Sequence, residues 1–251
     1  MTKPTPIIAR SLRSGGCAEC TLNSVCLPPA LDEKTLEQLT ALITQPVPLA
    51  RGDMLFRQGE PFSSIYAVRS GAIKTSVIPK DGEEQIMGFY LPGEIIGFDS
   101  MGPGAHVSSA TALETTAICA VPFSRMEKLA QEMPGLQRHL FDLMSAEIQA
   151  GQQLMLLLGK RSAEARLAAF LTSLSARQHR RRLSAERLHL PMSRTDIANH
   201  LGLTLETISR LFNRLQQSGV LKARGRDITL LTPETLGHLS EPECHEEISH
   251  I

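Results

Sequence analysis

The chain has 251 residues, a formal net charge of zero and 42% hydrophobic residues, which suits a folded protein of one large or two modest domains. No apolar run approaches the roughly 18 residues of a membrane-spanning helix, so we expect no membrane association. The first sixteen residues contain no apolar signal core, so we expect a cytoplasmic protein whose thiols stay reduced.

The charge is distributed unevenly along the chain. Residues 160–226 contain fourteen Lys and Arg against four Asp and Glu, whereas the rest of the chain contains twelve against twenty-two. A basic C-terminal third beside an acidic remainder favours nucleic acid as the partner of that third. A solvated charged surface is the alternative, and the helix pattern described below argues against it.

Three cysteines fall within ten residues near the N-terminus. Cys17, Cys20 and Cys26 have the spacing Cys-x2-Cys-x5-Cys, and Cys119 lies far downstream in a predicted strand. Soft thiolates suit zinc or an iron–sulfur cluster. Structural zinc usually takes two short paired spacings, whereas iron–sulfur sites commonly take a remote fourth cysteine, so the spacing favours a cluster and leaves zinc open. Cys244 lies in a polar tail, and we interpret it as a spare thiol.

A region of short strands follows the cysteines. Between Pro46 and Pro122, brief runs rich in Ile, Val, Phe and Thr alternate with Gly, Pro and Asp, which predicts an antiparallel barrel or jelly roll. A short helix capped by Asp32 precedes this region. The predicted strands include 54–56, 64–68, 72–77, 85–90 and 117–121.

A long helix is predicted from about Leu136 to Leu158, with Pro134 near its start. One apolar stripe, through Leu136, Leu140 and Leu143, would face the barrel. A second stripe has alternating spacings of three and four, typical of a coiled-coil seam, so we expect a homodimer; a helix buried within one domain is the alternative. The predicted dimer interface consists of Phe141, Met144, Ile148, Gly151, Met155 and Leu158.

The C-terminal third contains a helix-turn-helix pattern. A capping box that begins at Ser193 predicts a helix over 194–200, and Gly202 is a natural left-handed stop after it. Thr204 caps a second predicted helix over 205–217. Two helices joined by a short turn with glycine are the arrangement that places a helix in the DNA major groove.

The second of these helices presents polar side chains that suit base recognition. Arg210 can donate to a guanine, Glu206 can accept from a cytosine amino group, and Ser209 can bond a base or a phosphate. The alternative for Glu206 and Arg210 is a surface ion pair. A basic hairpin over 222–226 is interpreted as a wing that contacts phosphate. The predicted DNA-binding residues are Thr204, Glu206, Ser209, Arg210, Arg214, Arg224 and Arg226.

The segment before the helix-turn-helix pattern is also predicted as a helix, over 163–176, followed by a basic loop over 178–187. No phosphate loop, nucleophile elbow or HExxH motif occurs in the sequence, so we predict that the protein is not an enzyme. The Cys17–Cys20 pair alone could indicate a dithiol oxidoreductase, but it lacks the strand before and the helix after that such a motif requires.

The order of cysteine-rich arm, barrel, long helix and winged helix-turn-helix resembles the cyclic-AMP receptor protein superfamily. In detail the chain resembles its oxygen-sensing branch, the fumarate and nitrate reduction regulators and their anaerobic-regulator relatives. The resemblance covers nearly the whole chain. The matching stretches are 14–17, 20–28, 67–71, 82–86, 112–115, 166–171 and 202–210.

The resemblance implies a [4Fe-4S] cluster, one per subunit, held by the four cysteines Cys17, Cys20, Cys26 and Cys119. It implies that Glu206 and its neighbours Ser209 and Arg210 read a palindromic DNA site with TTGAT-like half-sites. It further implies that oxygen converts the cluster to a [2Fe-2S] form, which weakens the dimer and releases DNA. RNA polymerase is the further partner that we expect of such a regulator.

Two departures from the family pattern have consequences. Cyclic-nucleotide members carry an Arg-Ser pair in the barrel, but residues 106–110 contain no arginine, so we predict a scaffold that binds no cyclic nucleotide. Relatives often carry an acidic residue in the dimer seam where this chain has Gly151. Removal of like charges across a two-fold axis predicts a dimer strength that is tuned differently here.

The sequence therefore predicts an α+β fold: an N-terminal antiparallel β-roll or jelly-roll sensor domain, a long dimerisation helix and a C-terminal winged helix-turn-helix. The predicted function is an oxygen-responsive transcription regulator. A regulator of the same architecture that responds to nitric oxide or redox stress, and a zinc or dithiol redox protein, remain the alternatives. The predicted divisions are a cluster-binding arm over 1–29, the sensor domain over 30–132, the dimerisation helix over 133–160, the DNA-binding domain over 161–235 and a tail over 236–251.

Overall fold

The computed structural model describes residues 17, 20–26, 33–80 and 82–240. The chain forms two compact units, and the division between them falls between Ile148 and Gln149. The helices are α1 (Asn23–Cys26), α2 (Glu33–Leu42), α3 (Phe123–Glu132), α4 (Pro134–Lys160), α5 (Ala163–Arg180), α6 (Arg194–His200), α7 (Leu205–Gln217) and α8 (Pro233–Ser240). The strands are β1 (Met54–Phe56), β2 (Ser64–Ser70), β3 (Ile73–Val77), β4 (Gln85–Tyr90), β5 (Ile95–Ile96), β6 (Ser109–Ala112), β7 (Ala117–Pro122), β8 (Arg187–His189), β9 (Leu221–Arg224) and β10 (Asp227–Leu230).

The first unit is built on two antiparallel sheets, with strand orders β1-β6-β3-β4 and β5-β2-β7. Short strands with one apolar face bury that face best against a second sheet, which is the arrangement that the strand pattern predicts. Strands of both sheets contribute to one buried core. Its residues are Leu55, Phe56, Val68, Ile73, Ile96, Ala110, Ala112 and Ile118.

Helices cover one side of this barrel. Leu39 of α2 and Leu136 of α4 join Ile65 and Val121 in a second buried cluster. Helix α3 contributes Met126, Leu129 and Ala130 to the same cluster and is absent from the sequence prediction. Its single apolar face spans only ten residues. The helix ends at Glu132, and the next residue, Met133, has an extended backbone, because the helical conformation is disfavoured for a residue that precedes a proline.

The second unit contains the helix-turn-helix, and here the sequence prediction is confirmed: α6 and α7 have the predicted bounds. Beside them lies a three-stranded antiparallel sheet in the order β8-β10-β9, in which β9 and β10 form the hairpin that we predicted as a wing. The α+β architecture that the sequence predicts is therefore confirmed.

The helix predicted over 163–176 is longer than expected. It continues to Arg180, so the first part of the predicted basic loop 178–187 is helical. Basic side chains in a last turn interact favourably with the helix dipole, and no glycine or proline interrupts the run. The chain then turns at Arg182, which has a φ of 58°.

A last helix, α8, was not predicted. It packs against α5 and buries Leu236 to 1% exposure. It extends past residue 235, where the sequence pattern predicts the end of the DNA-binding domain. The predicted cap Asp32 and the spare thiol Cys244 lie outside the described residues.

Candidate functional site

The N-terminal cysteines lie on a short segment that packs against the barrel unit. The backbone N–H of Cys17 donates to Thr40 Oγ1 of α2 at 3.2 Å. The backbone N–H of Cys20 donates to the carbonyl oxygen of Cys17, also at 3.2 Å. Cys26 is the last residue of α1, and Cys119 lies on β7, which is paired with β2. The remote cysteine is therefore fixed by a strand, and the other three by local turns.

The turn between β4 and β5 packs against α1. Gly93 lies in this turn with a φ of +92°, and a Cβ added there would be 2.8 Å from Val25 Cγ1. Cys26 Sγ donates to the carbonyl oxygen of Gly93 at 3.4 Å. Only glycine lets the turn approach α1 this closely. The position of Cys26 therefore depends on the β4–β5 turn.

The four thiols influence one another electrostatically. Burial is the main cause that raises the pKa of Cys26 to about 12, and Cys20, Cys119 and Cys17 contribute to this rise in that order of effect. Burial also raises the pKa of Cys119 to about 11, while Arg69 opposes this rise. Burial raises the pKa of Cys17 as well. These mutual effects arise because the fold places thiols from both segments near one another. A coordinated metal deprotonates such thiols outright.

The chemistry of the four side chains suits a soft metal centre. Thiolates are ligands of zinc and of iron–sulfur clusters alike. Arg69 is close enough to Cys17 and Cys119 to oppose the rise in pKa that burial causes in both thiols. Within the residues that the structure describes, no three His, Cys, Asp or Glu side chains are placed to hold a single metal ion. The donor set therefore fits a thiolate-bound metal centre.

Local capping fixes the helix-turn-helix. Ser193 Oγ accepts from the backbone N–H of Asp196, and the Asp196 carboxylate accepts from the backbone N–H of Ser193 at 2.8 Å. Thr204 Oγ1 accepts from the backbone N–H of Thr207 at 3.1 Å. Gly202 has a φ of 61° in the intervening turn. The capping residues predicted from the sequence thus form the hydrogen bonds at the starts of α6 and α7.

The exposed face of α7 carries the predicted base-reading residues. Glu206 and Arg210 form an ion pair at 3.6 Å in which both side chains are 82% exposed. An exposed pair of this kind contributes little stability, so both groups are available to a ligand. Ser209 Oγ donates to the carbonyl oxygen of Leu205 at 2.9 Å, so its hydroxyl can accept from a ligand while that bond persists.

Other predicted DNA-binding residues have partners within the second unit. Arg214 Nη1 lies 3.4 Å from Glu164 Oε2, and Arg226 Nη1 donates to the carbonyl oxygen of Pro191 at 2.9 Å. Thr204 acts as the cap of α7. Arg224 is exposed at the end of β9. Of the predicted wing residues, Arg224 is therefore more available to phosphate than Arg226.

A residue that the sequence reading missed, Arg166, contacts three carbonyl oxygens. Its Nη2 donates to Leu158 at 2.7 Å, its Nε to Arg161 at 3.1 Å and its Nη1 to Leu201 at 3.1 Å. The first two carbonyls lie at the end of α4, and the third follows α6. A single arginine in the otherwise apolar stretch 165–171 is the sequence signal that could have indicated this role.

A second missed residue is Arg194, at the start of α6. Its guanidinium carbon lies 3.2 Å from the centroid of the Phe212 ring of α7. Burial lowers the pKa of Arg194 to about 10. The cation and the ring connect the two helices of the motif on the side opposite to their turn, which adds a cation–π contact to the apolar core.

The predicted dimer interface has open positions along α4. Phe141, Ile148 and Met155 are 54%, 63% and 68% exposed. Gly151 is exposed, and a Cβ added there would meet nothing within 4 Å. The other two predicted members, Met144 and Leu158, are partly buried. The stripe predicted to face the barrel differs, since its first residue is buried and its second packs against the core.

Aromatic rings cluster around His106, in the stretch 106–110 that lacks the arginine of the cyclic-nucleotide members. His106 is buried and stacks on Phe56 with ring centroids 3.7 Å apart. Phe62 and Tyr66 lie around the same imidazole. Burial lowers the pKa of His106, whereas Asp99 and Glu60 oppose this shift. Absence of a nucleotide site in the barrel stays a prediction from the sequence.

Comparisons with known proteins agree with this architecture. Residues 46–133 match the cyclic nucleotide-binding domain family, and residues 165–239 match the Crp-like helix-turn-helix domain family. The structure of FixK2 from Bradyrhizobium japonicum is similar with a TM-score of 0.73 and 32% identity, over 80% of this chain and 99% of that chain. No helix in the described ranges is long and apolar enough to cross a membrane.

Fold and site together define a DNA-binding transcription regulator, and the protein is not an enzyme. The transcriptional activator Anr of Pseudomonas aeruginosa is 46% identical over 225 residues, which are 90% of this chain and 92% of the relative. The fumarate and nitrate reduction regulatory protein of Escherichia coli is 44% identical over 241 residues, 94% of this chain and 96% of the relative. The chain belongs to the Fnr/Anr family of transcription regulators.

Proposed function

We propose that this regulator responds to oxygen and is active when Cys17, Cys20, Cys26 and Cys119 hold one [4Fe-4S] cluster per subunit. The observation that carries the proposal is the convergence of four thiols from two distant segments of the chain, each within electrostatic reach of the others. Support for an oxygen signal comes from the resemblance to the oxygen-sensing branch and from the relative named fumarate and nitrate reduction regulatory protein.

A bound [4Fe-4S] cluster would supply a centre that oxygen degrades. The residues of this chain hold the segment 17–26 in place around it. Thr40 accepts a hydrogen bond from the backbone of Cys17, and Gly93 packs against α1. Cys119 is held by the pairing of β7 with β2. Ligation of all four thiols would link the N-terminal cysteine segment to β7 of the barrel. Loss of ligation would remove this link.

We propose that the output is formation of a homodimer through α4. Phe141, Ile148 and Met155 expose apolar side chains along the predicted seam. Burial of such side chains against a second copy is worth roughly 2 kcal/mol each, which is enough to form a dimer and small enough to be reversed. A two-fold axis would then relate two copies of α7.

The dimer would bind a palindromic DNA site with TTGAT-like half-sites and act with RNA polymerase. Glu206 and Arg210 are exposed on α7 and would read base edges, with Ser209 as an acceptor for a base or phosphate. The proposed wing contact comes from Arg224. Two-fold symmetry places half-sites about 34 Å apart, one turn of the double helix.

Anaerobic purification followed by measured exposure to air tests the proposal. We expect a brown protein with about four irons and four sulfides per chain. DNA affinity for a palindromic site should fall as the cluster absorbance falls. A colourless protein with stoichiometric zinc, or a DNA affinity that stays constant while the cluster is lost, would contradict the proposal.

Single cysteine variants identify the ligands. Replacement of Cys119 by serine should abolish the cluster as completely as replacement of Cys20, although the two lie 99 positions apart in sequence. Cys244→Ser is the matched control and should keep full iron and sulfide content. An unaltered iron content in Cys119→Ser would exclude β7 from the site. Nitric oxide in place of air in the same assay distinguishes the two signals.

A further inference from the structure

One hydrogen bond joins the segment of the proposed cluster ligands to the helix of the proposed dimer seam. His139 Nε2 on α4 lies 3.4 Å from the carbonyl oxygen of Cys26. A carbonyl oxygen only accepts, so this bond requires the hydrogen on Nε2. The bond uses the backbone of Cys26, so ligation of its sulfur leaves the acceptor unchanged.

His139 lies on the side of α4 that packs against the first unit. Its neighbours Leu136 and Leu140, one turn before it and one residue after it, belong to the buried cluster beneath the helix. Phe141 is two residues on, which is about 200° around the helix, and is 54% exposed. The imidazole and the seam residue Phe141 therefore lie on opposite faces of the first part of α4.

A second polar bond, in which no cysteine takes part, joins α4 to the barrel. Tyr90, the last residue of β4, donates its hydroxyl hydrogen to Glu147 Oε1 at 2.6 Å. Burial raises the pKa of Tyr90 well above its ordinary value, so the phenol remains a donor. Glu147 precedes the seam residue Ile148. The helix thus has a polar contact with the barrel and another with the segment that carries Cys26.

We infer that His139 is a positioning residue that transmits the state of the cysteine segment to α4. The inference rests on the proposed function. While the four cysteines are ligated, Cys26 is held in place, and its carbonyl holds the His139 side of the helix. When ligation is lost, the segment can move, and this contact no longer fixes the orientation of the seam. The Tyr90–Glu147 bond involves neither a cysteine nor His139 and serves as the reference contact.

The test compares the dimer dissociation constant of cluster-loaded and cluster-free protein, measured by analytical ultracentrifugation without DNA. His139→Leu keeps a similar volume and removes the donor. We expect it to reduce the ratio of the two constants by roughly threefold to tenfold, the net effect of one hydrogen bond. Tyr90→Phe is the control: it should change both constants alike and leave their ratio at the wild-type value.

Two amide variants separate the hydrogen bond from the packing of the ring. A glutamine amide can reach the position of Nε2, whereas the shorter asparagine amide reaches only that of Nδ1. His139→Gln should therefore keep the wild-type ratio, and His139→Asn should lower it as His139→Leu does. The comparison of these two variants tests the role of the hydrogen bond even if His139→Leu folds poorly.

Each outcome has a distinct meaning. A wild-type protein whose dimer constant does not depend on the cluster contradicts the proposed function itself. A wild-type ratio in His139→Leu and His139→Asn, with iron and sulfide at full content, contradicts the inference alone. A reduced ratio in Tyr90→Phe would assign the coupling to the barrel contact and would likewise overturn the role of His139.

Discussion

Arg166 of α5 donates to the carbonyl oxygen of Leu201, 35 residues further along the chain, at 3.1 Å. The same guanidinium donates to Leu158 and Arg161, at the end of α4. The last carbonyls of a helix have no partner within it, and a cation there also meets the negative end of the dipole. The Arg166 side chain therefore caps the C-terminal end of α4 and also bonds the backbone at the start of the turn that follows α6.

Arg166→Lys should destabilise the second unit although the charge is retained. A lysine ammonium is a point donor and cannot reach three carbonyls in the fork geometry of a guanidinium. We expect a loss of about 2 kcal/mol, since buried acceptors lose partners. Urea unfolding of the full chain, followed by circular dichroism, measures this change in the transition of that unit.

Arg138→Lys is the matched control, because Arg138 forms an exposed i,i+4 pair with Asp142. Such a pair contributes about 0.5 kcal/mol or less. The Arg166 variant should also bind DNA more weakly, since α7 begins four residues after Leu201. Equal stability of the two lysine variants would show that the three carbonyl bonds contribute little.

Gly93→Ala should impair assembly of the proposed cluster site. The added methyl would lie 2.8 Å from Val25 Cγ1 and force α1, with Cys26, away from the β4–β5 turn. Gly52 has nearly the same backbone, with a φ of +90°, and a methyl group added to it would meet nothing within 4 Å. Both alanine variants should lose about 1–2 kcal/mol from backbone strain alone.

Iron content separates the two glycine variants. Only Gly93→Ala should bind less iron per chain after anaerobic reconstitution, while Gly52→Ala should reach the wild-type value. Comparable iron in both, with comparable losses of stability, would mean that the contact between the β4–β5 turn and α1 adapts to the methyl group. A low iron content in both would point to the barrel as a whole.

The sequence predicts the helix-turn-helix to the residue because its signals are local. Ser193, Thr204 and Gly202 each act on backbone groups within four positions, so spacing alone determines the hydrogen bonds. In the barrel, turn residues separate short apolar runs, and the five predicted strands are present with ends that differ by two residues at most, whereas β5 and β6 were not predicted. These signals require no knowledge of distant parts of the chain.

The missed features depend on partners far away in sequence. His139 acquires its role from a carbonyl 113 positions earlier, and Arg166 from a carbonyl 35 positions later. Helix α3 was missed because Pro134 ends it after ten residues, which leaves too short a periodic pattern to distinguish from a loop. Tertiary packing decides such elements, and neither spacing nor composition contains that information.

Changes on α7 and in the wing should affect DNA binding in different ways. Glu206→Gln, which removes a charge on the exposed face, should weaken binding to the preferred site by roughly 10- to 100-fold and relax specificity at one base pair. Arg224→Gln should weaken binding to all sequences alike and reduce the slope of log affinity against log salt by about one.

Titration of wild-type and variant proteins with a palindromic duplex and with single-base substitutions of it, at several salt concentrations, measures both effects. Asn213→Ala, an exposed position on α7, is a matched control for substitution on this helix. A uniform loss of affinity in Glu206→Gln, with specificity retained, would mean that Glu206 serves only its ion pair with Arg210.

Gly151 offers a direct test of how the strength of the proposed dimer is set. The position is exposed on α4 and has open space around it, so a side chain fits without displacing a neighbour. Gly151→Ala should stabilise the helix by about 1 kcal/mol. Gly151→Asp adds a charge, and across a two-fold axis it adds two like charges that face each other.

The alanine variant is the reference for the aspartate variant, because both remove the flexibility of glycine. Two like charges about 4 Å apart in water cost about 1 kcal/mol, so the dimer of Gly151→Asp should be about fivefold weaker than that of Gly151→Ala. High salt should reduce this difference, since exposed charges are screened. Sedimentation of both variants, with and without the cluster, provides the constants. Identical constants in both states would place residue 151 outside the seam and would shift the interface to another face of α4.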